Sequence, residues 1–360
     1  MSTPTQPPAS PSDGKAEPTA LGSNPFDPPS GPDPFVQGLE ELGLDPPPAA
    51  LRPVGEPPGL DDRGTAEATA HAPPPLSELG RSEPLRVLES LVPEDVMRRV
   101  GALAYLADGE SAYDRFGFSP EVTRRAFPFF YALYKYYFRV ESEGHEHIPA
   151  RGPAALCSNH AGVLPFDAAM IVADTIMHTD PPRLARSVVD TWAGSLPWIN
   201  VLYARGGQVT GTRENCTDLL DDQQLILVFP EGVAGVRKTI SDRYQLRPFR
   251  VGFVEQALAA RAPIVPTAVI GSENQMPVLF NFEGLAKRLG LPAFPITPTF
   301  PWFGPLGLLP YPVSYRIVYG EPLHLHERYD TPPDELDSSV IESLAREVQQ
   351  VVQELVDRHR

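Results

Sequence analysis

Ala154-Ala155-Leu156-Cys157-Ser158-Asn159-His160-Ala161-Gly162-Val163-Leu164-Pro165-Phe166-Asp167 passes from a short apolar run into a polar turn, and residues 168–177 continue with helical patterning. A strand feeding a helix through a tight turn is the repeating unit of α/β domains. This turn holds a histidine and a carboxylate. A neutral imidazole can take a proton from an alcohol near physiological pH, and a carboxylate can fix its tautomer and steady the imidazolium. His160 and Asp167 are therefore candidate catalytic residues, although Asp167 also suits a helix N-cap and His160 a hydrogen-bonded turn. Gly162 lets the turn close and Pro165 stiffens it.

A second apolar run, 225–229, ends in Phe229-Pro230-Glu231-Gly232. Ligands of α/β sheets bind at the carboxyl ends of strands. Glu231 is thus a candidate substrate-binding carboxylate and Gly232 a point where a ligand can approach the backbone. Further strands are expected over 154–158, 187–189, 264–270 and 314–319, and helices over 168–177, 214–221 and 251–261. This alternation predicts an α/β layered domain with a mostly parallel sheet flanked by helices. After it, 334–360 carries the apolar stripe of an amphipathic helix through Val340, Ile341, Leu344, Val348, Val352 and Leu355.

The N-terminal part reads differently. Residues 1–84 hold 20 of the 44 prolines, with 13 acidic against 4 basic residues, so −9 of the net charge of −16 lies there. Such a segment buries too little apolar surface to offset the entropy of ordering, and a disordered tail is expected. Four units follow: the tail at 1–84, a helical segment at 85–139, the α/β domain at 140–325 and the C-terminal helix at 326–360. The acidic balance argues against nucleic acid as a partner. No signal peptide is read at the N-terminus, and Cys157 and Cys216 give neither a disulfide framework nor zinc spacing.

Two apolar stretches bear on lipid. Residues 127–139, Phe-Pro-Phe-Phe-Tyr-Ala-Leu-Tyr-Lys-Tyr-Tyr-Phe-Arg, contain eight aromatic side chains beside basic ones. They suit a helix at the headgroup layer, or equally one packed on the core. Residues 289–315 carry no charge and seven prolines, which excludes a regular helix. That stretch either covers the core or touches an apolar ligand or lipid. No stretch qualifies as a membrane span.

The order and spacing of His160, Asp167 and Phe229-Pro230-Glu231-Gly232 resemble the glycerophospholipid acyltransferase family. Three more segments resemble its motifs: Tyr203-Ala204-Arg205-Gly206 through Arg213-Glu214-Asn215, Arg247-Pro248-Phe249-Arg250-Val251-Gly252-Phe253, and Ala262-Pro263-Ile264-Val265-Pro266. The resemblance implies acyl transfer from acyl-CoA or acyl-carrier protein to a glycerolipid or lysophospholipid hydroxyl, with no cofactor beyond that co-substrate. It implies His160 as general base, Asp167 as its orienter and Glu231 as an acceptor-binding residue. Backbone N–H groups around Gly232 would meet the oxyanion, and Arg213 and Arg250 would bind anions. Six residues separate His160 from Asp167, where the phosphatidic-acid-forming branch has four. Val233-Ala234-Gly235-Val236-Arg237-Lys238 replaces its Thr-Arg-Ser. Both departures look more like the monoacylglycerol and diacylglycerol acyltransferase branch. The expected setting is peripheral, on the cytoplasmic face of a membrane. The competing expectation is a non-catalytic lipid-binding scaffold whose tail recruits partners. His145 with His147, and His324 with His326, resemble metal chelates, but neither pair has a suitably spaced third ligand, so no metal is expected.

Overall fold

The computed structural model describes residues 83–107, 112–161, 164–196, 199–329 and 331–360. The expected tail lies outside them as far as residue 82, as do Gly162 and Val163. Nine strands are described: β1 (Glu141–Glu143), β2 (Ala154–Ser158), β3 (Ala185–Val189), β4 (Val209–Thr210), β5 (Leu225–Val228), β6 (Ile264–Ile270), β7 (Phe280–Asn281), β8 (Pro295–Ile296) and β9 (Arg316–Tyr319). The helices are α1 (Glu83–Ser90), α2 (Glu94–Ala102), α3 (Pro120–Ala132), α4 (Phe166–His178), α5 (Thr191–Ser195), α6 (Ile199–Arg205), α7 (Arg213–Asp221), α8 (Val233–Val236), α9 (Gly252–Ala259), α10 (Glu283–Arg288) and α11 (Ser338–His359).

Seven strands form one sheet in the order β1-β9-β6-β2-β5-β3-β4. From β6 to β4 all pairings are parallel, and β9 runs antiparallel to β6. The α/β architecture with a mostly parallel sheet is as the alternation predicted. β7 and β8 form a separate antiparallel pair.

The central strands are buried on both faces, as parallel sheets under helices require. Along β2, Ala154 and Leu156 face one core while Ala155 and Cys157 face the other. The first core is closed by α4, through Met170, Ile171 and Ile176, and by the N-terminal helices. The second is closed by Leu219 and Leu220 of α7, Phe253 and Val254 of α9, and Ile341, Leu344 and Val348 of α11. That last helix starts later than the sequence suggests. Pro332 and Pro333 hold a short 3₁₀ turn, and Asp337 caps the helix by accepting from the Ser339 amide.

The aromatic stretch is the main difference. The helix begins at Pro120, capped by Ser119, and a single π turn over Leu133–Tyr137 ends it. Phe127, Tyr131, Tyr134 and Phe138 are buried, and Phe130 and Tyr137 pack against the same core. Phe138 stacks on Tyr315 with ring centroids 4.5 Å apart. Of the eight aromatic side chains only Phe129 and Tyr136 are exposed. Of the two placements open to this stretch, most of its rings take the one packed on the core. No helix among the described residues is long and apolar enough to cross a membrane.

Candidate active site

Three neighbouring parallel strands, β2, β5 and β3, deliver the site from their carboxyl ends. His160 follows β2, Glu231 follows β5 and Asp190 follows β3. Asn159 pins the first turn to β6: its amide nitrogen donates to the Val269 carbonyl at 2.9 Å and its oxygen accepts from the Val269 N–H at 2.8 Å. Gln275 adds a bond to the Ala161 carbonyl at 3.3 Å.

His160 Nδ1 lies 2.7 Å from Asp167 Oδ2. A carboxylate only accepts, so Nδ1 carries the hydrogen and Nε2 keeps the lone pair. Asp167 is fully buried in the first turn of α4, and its oxygens also accept from the amides of Ala161 at 3.0 Å and Ala168 at 2.8 Å. A negative side chain there is favoured by the helix dipole. Burial pulls the His160 imidazole down, but the Asp167 carboxylate beside it outweighs burial, so its pKa is raised from the ordinary value. The Phe229 ring packs beside the imidazole at 4.6 Å between centroids.

His160 lines a cavity of about 210 Å³, together with Asp190, Trp192, Gly232, Arg250 and Pro292. A second cavity of about 200 Å³ shares Pro165, Ala168, Ser187, Val189 and Tyr203 with it. Its remaining wall is almost wholly apolar, with Phe127 and Phe130 of α3 and Phe166, Ala169 and Val172 of α4.

A family model described as acyltransferase matches residues 139–270, which hold all six candidate residues. An uncharacterised protein of Mycobacterium tuberculosis (strain H37Rv) is 37% identical over 310 residues, covering 83% of this chain and 85% of its own. The chain belongs to the acyltransferase family. The chain is also 28% identical, over 225 residues and 61% of either chain, to a human protein named DGAT1/2-independent enzyme synthesizing storage lipids. The crystal structure of a 1-acyl-sn-glycerophosphate (LPA) acyltransferase, PlsC, from Thermotoga maritima aligns at a TM-score of 0.41 and 15% identity. That alignment covers 77% of this chain and 98% of that one.

The other expected site residues are arranged in ways the sequence did not suggest. Glu231 is buried and points into the protein, not into the cavity. Its Oε1 accepts from the His160 backbone N–H at 2.9 Å, its Oε2 accepts from the Arg247 N–H at 2.7 Å, and Lys238 Nζ lies 2.8 Å from Oε2. Lys238 also reaches Glu273 at 3.3 Å. Burial raises the Glu273 carboxyl, and Lys238 opposes that shift. This buried lysine between two carboxylates was not read as part of the site; an uninterrupted apolar setting for Lys238 and Glu273 would have been the signal, and neither has one.

Gly232 forms part of the cavity wall at φ 54° and ψ −144°, a conformation that glycine tolerates. A Cβ there would lie 3.2 Å from the Arg250 guanidinium carbon. Its own N–H donates to the Phe229 carbonyl at 2.9 Å, so among the backbone amides around Gly232 this one is already engaged. Arg250 lines the cavity, and no carboxylate among the described residues forms a salt bridge with it. Arg213 lies elsewhere: it is half-exposed at the start of α7 and paired with Glu255 at 2.5 Å.

The chain holds a second histidine cluster. His145 does find two partners that its local spacing could not reveal, Asp174 and His178, both on α4. His178 Nδ1 is 2.8 Å and His145 Nε2 is 3.2 Å from the Asp174 carboxylate. The same carboxylate accepts from Tyr134, Ser142 and Tyr319 hydroxyls at 2.6, 2.6 and 2.7 Å. His147 instead bonds to the Tyr319 carbonyl at 2.8 Å. His324, His326 and Glu327 form a more exposed group near the C-terminal helix.

Proposed function

We propose that this chain is an O-acyltransferase that moves a fatty acyl group from acyl-CoA or an acyl-carrier protein to a hydroxyl of a glycerolipid or lysophospholipid. The observation that carries the reading is an Asp167-held imidazole, on a residue lining a cavity, whose Nε2 has no partner among the described residues, with an apolar cavity alongside. The likeness to a protein named for storage-lipid synthesis favours an uncharged glycerolipid acceptor.

In this reading Nε2 of His160 takes the proton of the acceptor hydroxyl. The oxygen attacks the thioester carbonyl carbon, the C–S bond breaks as the tetrahedral intermediate collapses, and His160 returns its proton to the thiolate. Asp167 steadies the imidazolium throughout. The apolar cavity suits the acyl tail, and Arg250 suits a phosphate of the donor's pantetheine arm or of a phosphorylated acceptor. Glu231 and Lys238 act from behind, holding the His160 backbone. Arg213, paired at the surface, has no part in these steps. The enzyme would work at the cytoplasmic face of a membrane, where thioester donors meet lipid.

The test is thiol release by the purified protein from acyl-CoA and acyl-carrier protein, with monoacylglycerol, diacylglycerol and lysophospholipid acceptors in turn. Release that depends on one acceptor class, matched by an acylated lipid in equal amount, is expected. Release at the same rate without acceptor, or no release with any combination, contradicts the reading and favours a non-catalytic lipid-binding module.

A further inference from the structure

Eight of the eighteen large apolar side chains exposed among the described residues lie within 279–309: Leu279, Phe280, Phe282, Leu289, Trp302, Phe303, Leu306 and Leu309, with 49–73% of their surface open. Exposure on this scale in one segment is the mark of an interaction face. The segment is held in place, not loosely draped. β7 pairs with β8, Thr299 Oγ1 donates to the Gly307 carbonyl at 2.8 Å, and the Tyr311 amide donates to the Gln275 carbonyl at 2.7 Å. Its prolines, from Pro292 onward, keep a regular helix from forming beyond α10.

The face adjoins the cavity mouth. Pro292 lines the cavity, Arg237 Nε donates to the Pro292 carbonyl at 2.7 Å, and the indole N–H of Trp192, another lining residue, donates to the Gly290 carbonyl at 2.8 Å. Its charge is also distinctive. Arg237, Lys287 and Arg288 are exposed around it, and Glu283 is the one carboxylate between 279 and 315, on a chain whose net charge is −16. Basic residues rimming an open tryptophan and phenylalanine surface match an anionic headgroup layer over acyl chains.

We propose that residues 279–309 are the membrane-docking face of this enzyme, seated on a bilayer that contains anionic phospholipid and presenting the cavity mouth to it. The proposal rests on the lipid-acceptor reading above and moves the contact away from the aromatic helix at 127–139, whose rings are mostly committed to the core.

The experiment is flotation of the full-length protein with vesicles of phosphatidylcholine, with and without phosphatidylglycerol. The wild type is expected to float with the mixed vesicles. A Trp302→Ser/Phe303→Ser/Leu306→Ser variant should lose about tenfold or more of the bound fraction. A Lys287→Glu/Arg288→Glu variant should lose the preference for phosphatidylglycerol. A Phe129→Ser/Tyr136→Ser variant should bind as the wild type does. Failure of the wild type to float, or unchanged flotation of the triple variant, overturns the proposal. So does a triple variant whose sole change is conversion of a dimer to a monomer by size exclusion, because the face would then be covered by a second copy. Thiol release with a short-chain acceptor dispersed as monomers separates the two readings. The triple variant should retain it, whereas its absence in the wild type would count against the acyl-transfer reading and not against docking.

Discussion

Helix α4 carries two aspartates, each fully buried and each bonded to histidine, yet the two pairs have opposite character. At the first turn, Asp167 holds one imidazole by Nδ1 and leaves the other nitrogen of a cavity-lining residue without a partner among the described residues. Two turns on, Asp174 is surrounded by two imidazoles and three hydroxyls, all directed at its oxygens. Burial would raise the Asp174 carboxyl, but hydrogen bonds from His145, His178 and Ser142 outweigh it and hold it well below the usual carboxylate range. A buried histidine–aspartate pair is thus no sign of catalysis by itself. What separates the two is a lone pair beside a space that a substrate can enter, set against a carboxylate whose capacity is already filled by the fold.

Substitutions should break this contrast in opposite ways. The largest effect is expected from His160→Ala, which should lower thiol release by about 10²–10⁴-fold while leaving the thermal unfolding midpoint close to that of the wild type. Asp174→Ala should do the reverse. Leaving five donors without their acceptor, the buried hydroxyls of Tyr134 and Tyr319 among them, should cost on the order of 3–5 kcal/mol in urea unfolding, with turnover per folded molecule within a few-fold of wild type. The smallest effect belongs to His178. Its hydrogen bond to Asp174 raises its pKa, so the protonated imidazole adds stability that is full below the ordinary histidine value and is lost as pH rises through the raised one. The stability difference between wild type and His178→Gln should shrink across that rise. Because 39% of the side chain is open to solvent, it should stay below about 1 kcal/mol.

The sequence made the sheet's centre easy to read. β2 and β6 have the expected bounds because both are apolar on two faces and end at polar turns. β1 and β4 were missed for the converse reason. Glu141-Ser142-Glu143 is a polar strand that pairs only with β9, and β4 is two residues long at the other edge. The His160–Asp167 pair was legible because one turn holds both residues. The roles around Glu231 were not, since Lys238, Glu273 and Arg247 meet it through tertiary packing that no local pattern records. Asp174 and His178 stand at helical i,i+4 spacing, which was visible, but the contact with His145 depends on how β1 lies beside α4.

The most direct measurement of the central claim is the pH profile of kcat/KM for thiol release, recorded for the wild type and for Asp167→Asn. His160 must be unprotonated to accept the hydroxyl proton, so activity should fall as pH drops through its pKa in the free enzyme. The Asp167 carboxylate holds that pKa above the ordinary histidine value. The wild type should therefore show an acidic limb with its midpoint above about 6.5, and Asp167→Asn should move that midpoint to lower pH whatever it does to the plateau. A profile without an acidic limb, or a limb that stays in place when Asp167 is replaced, would contradict the account.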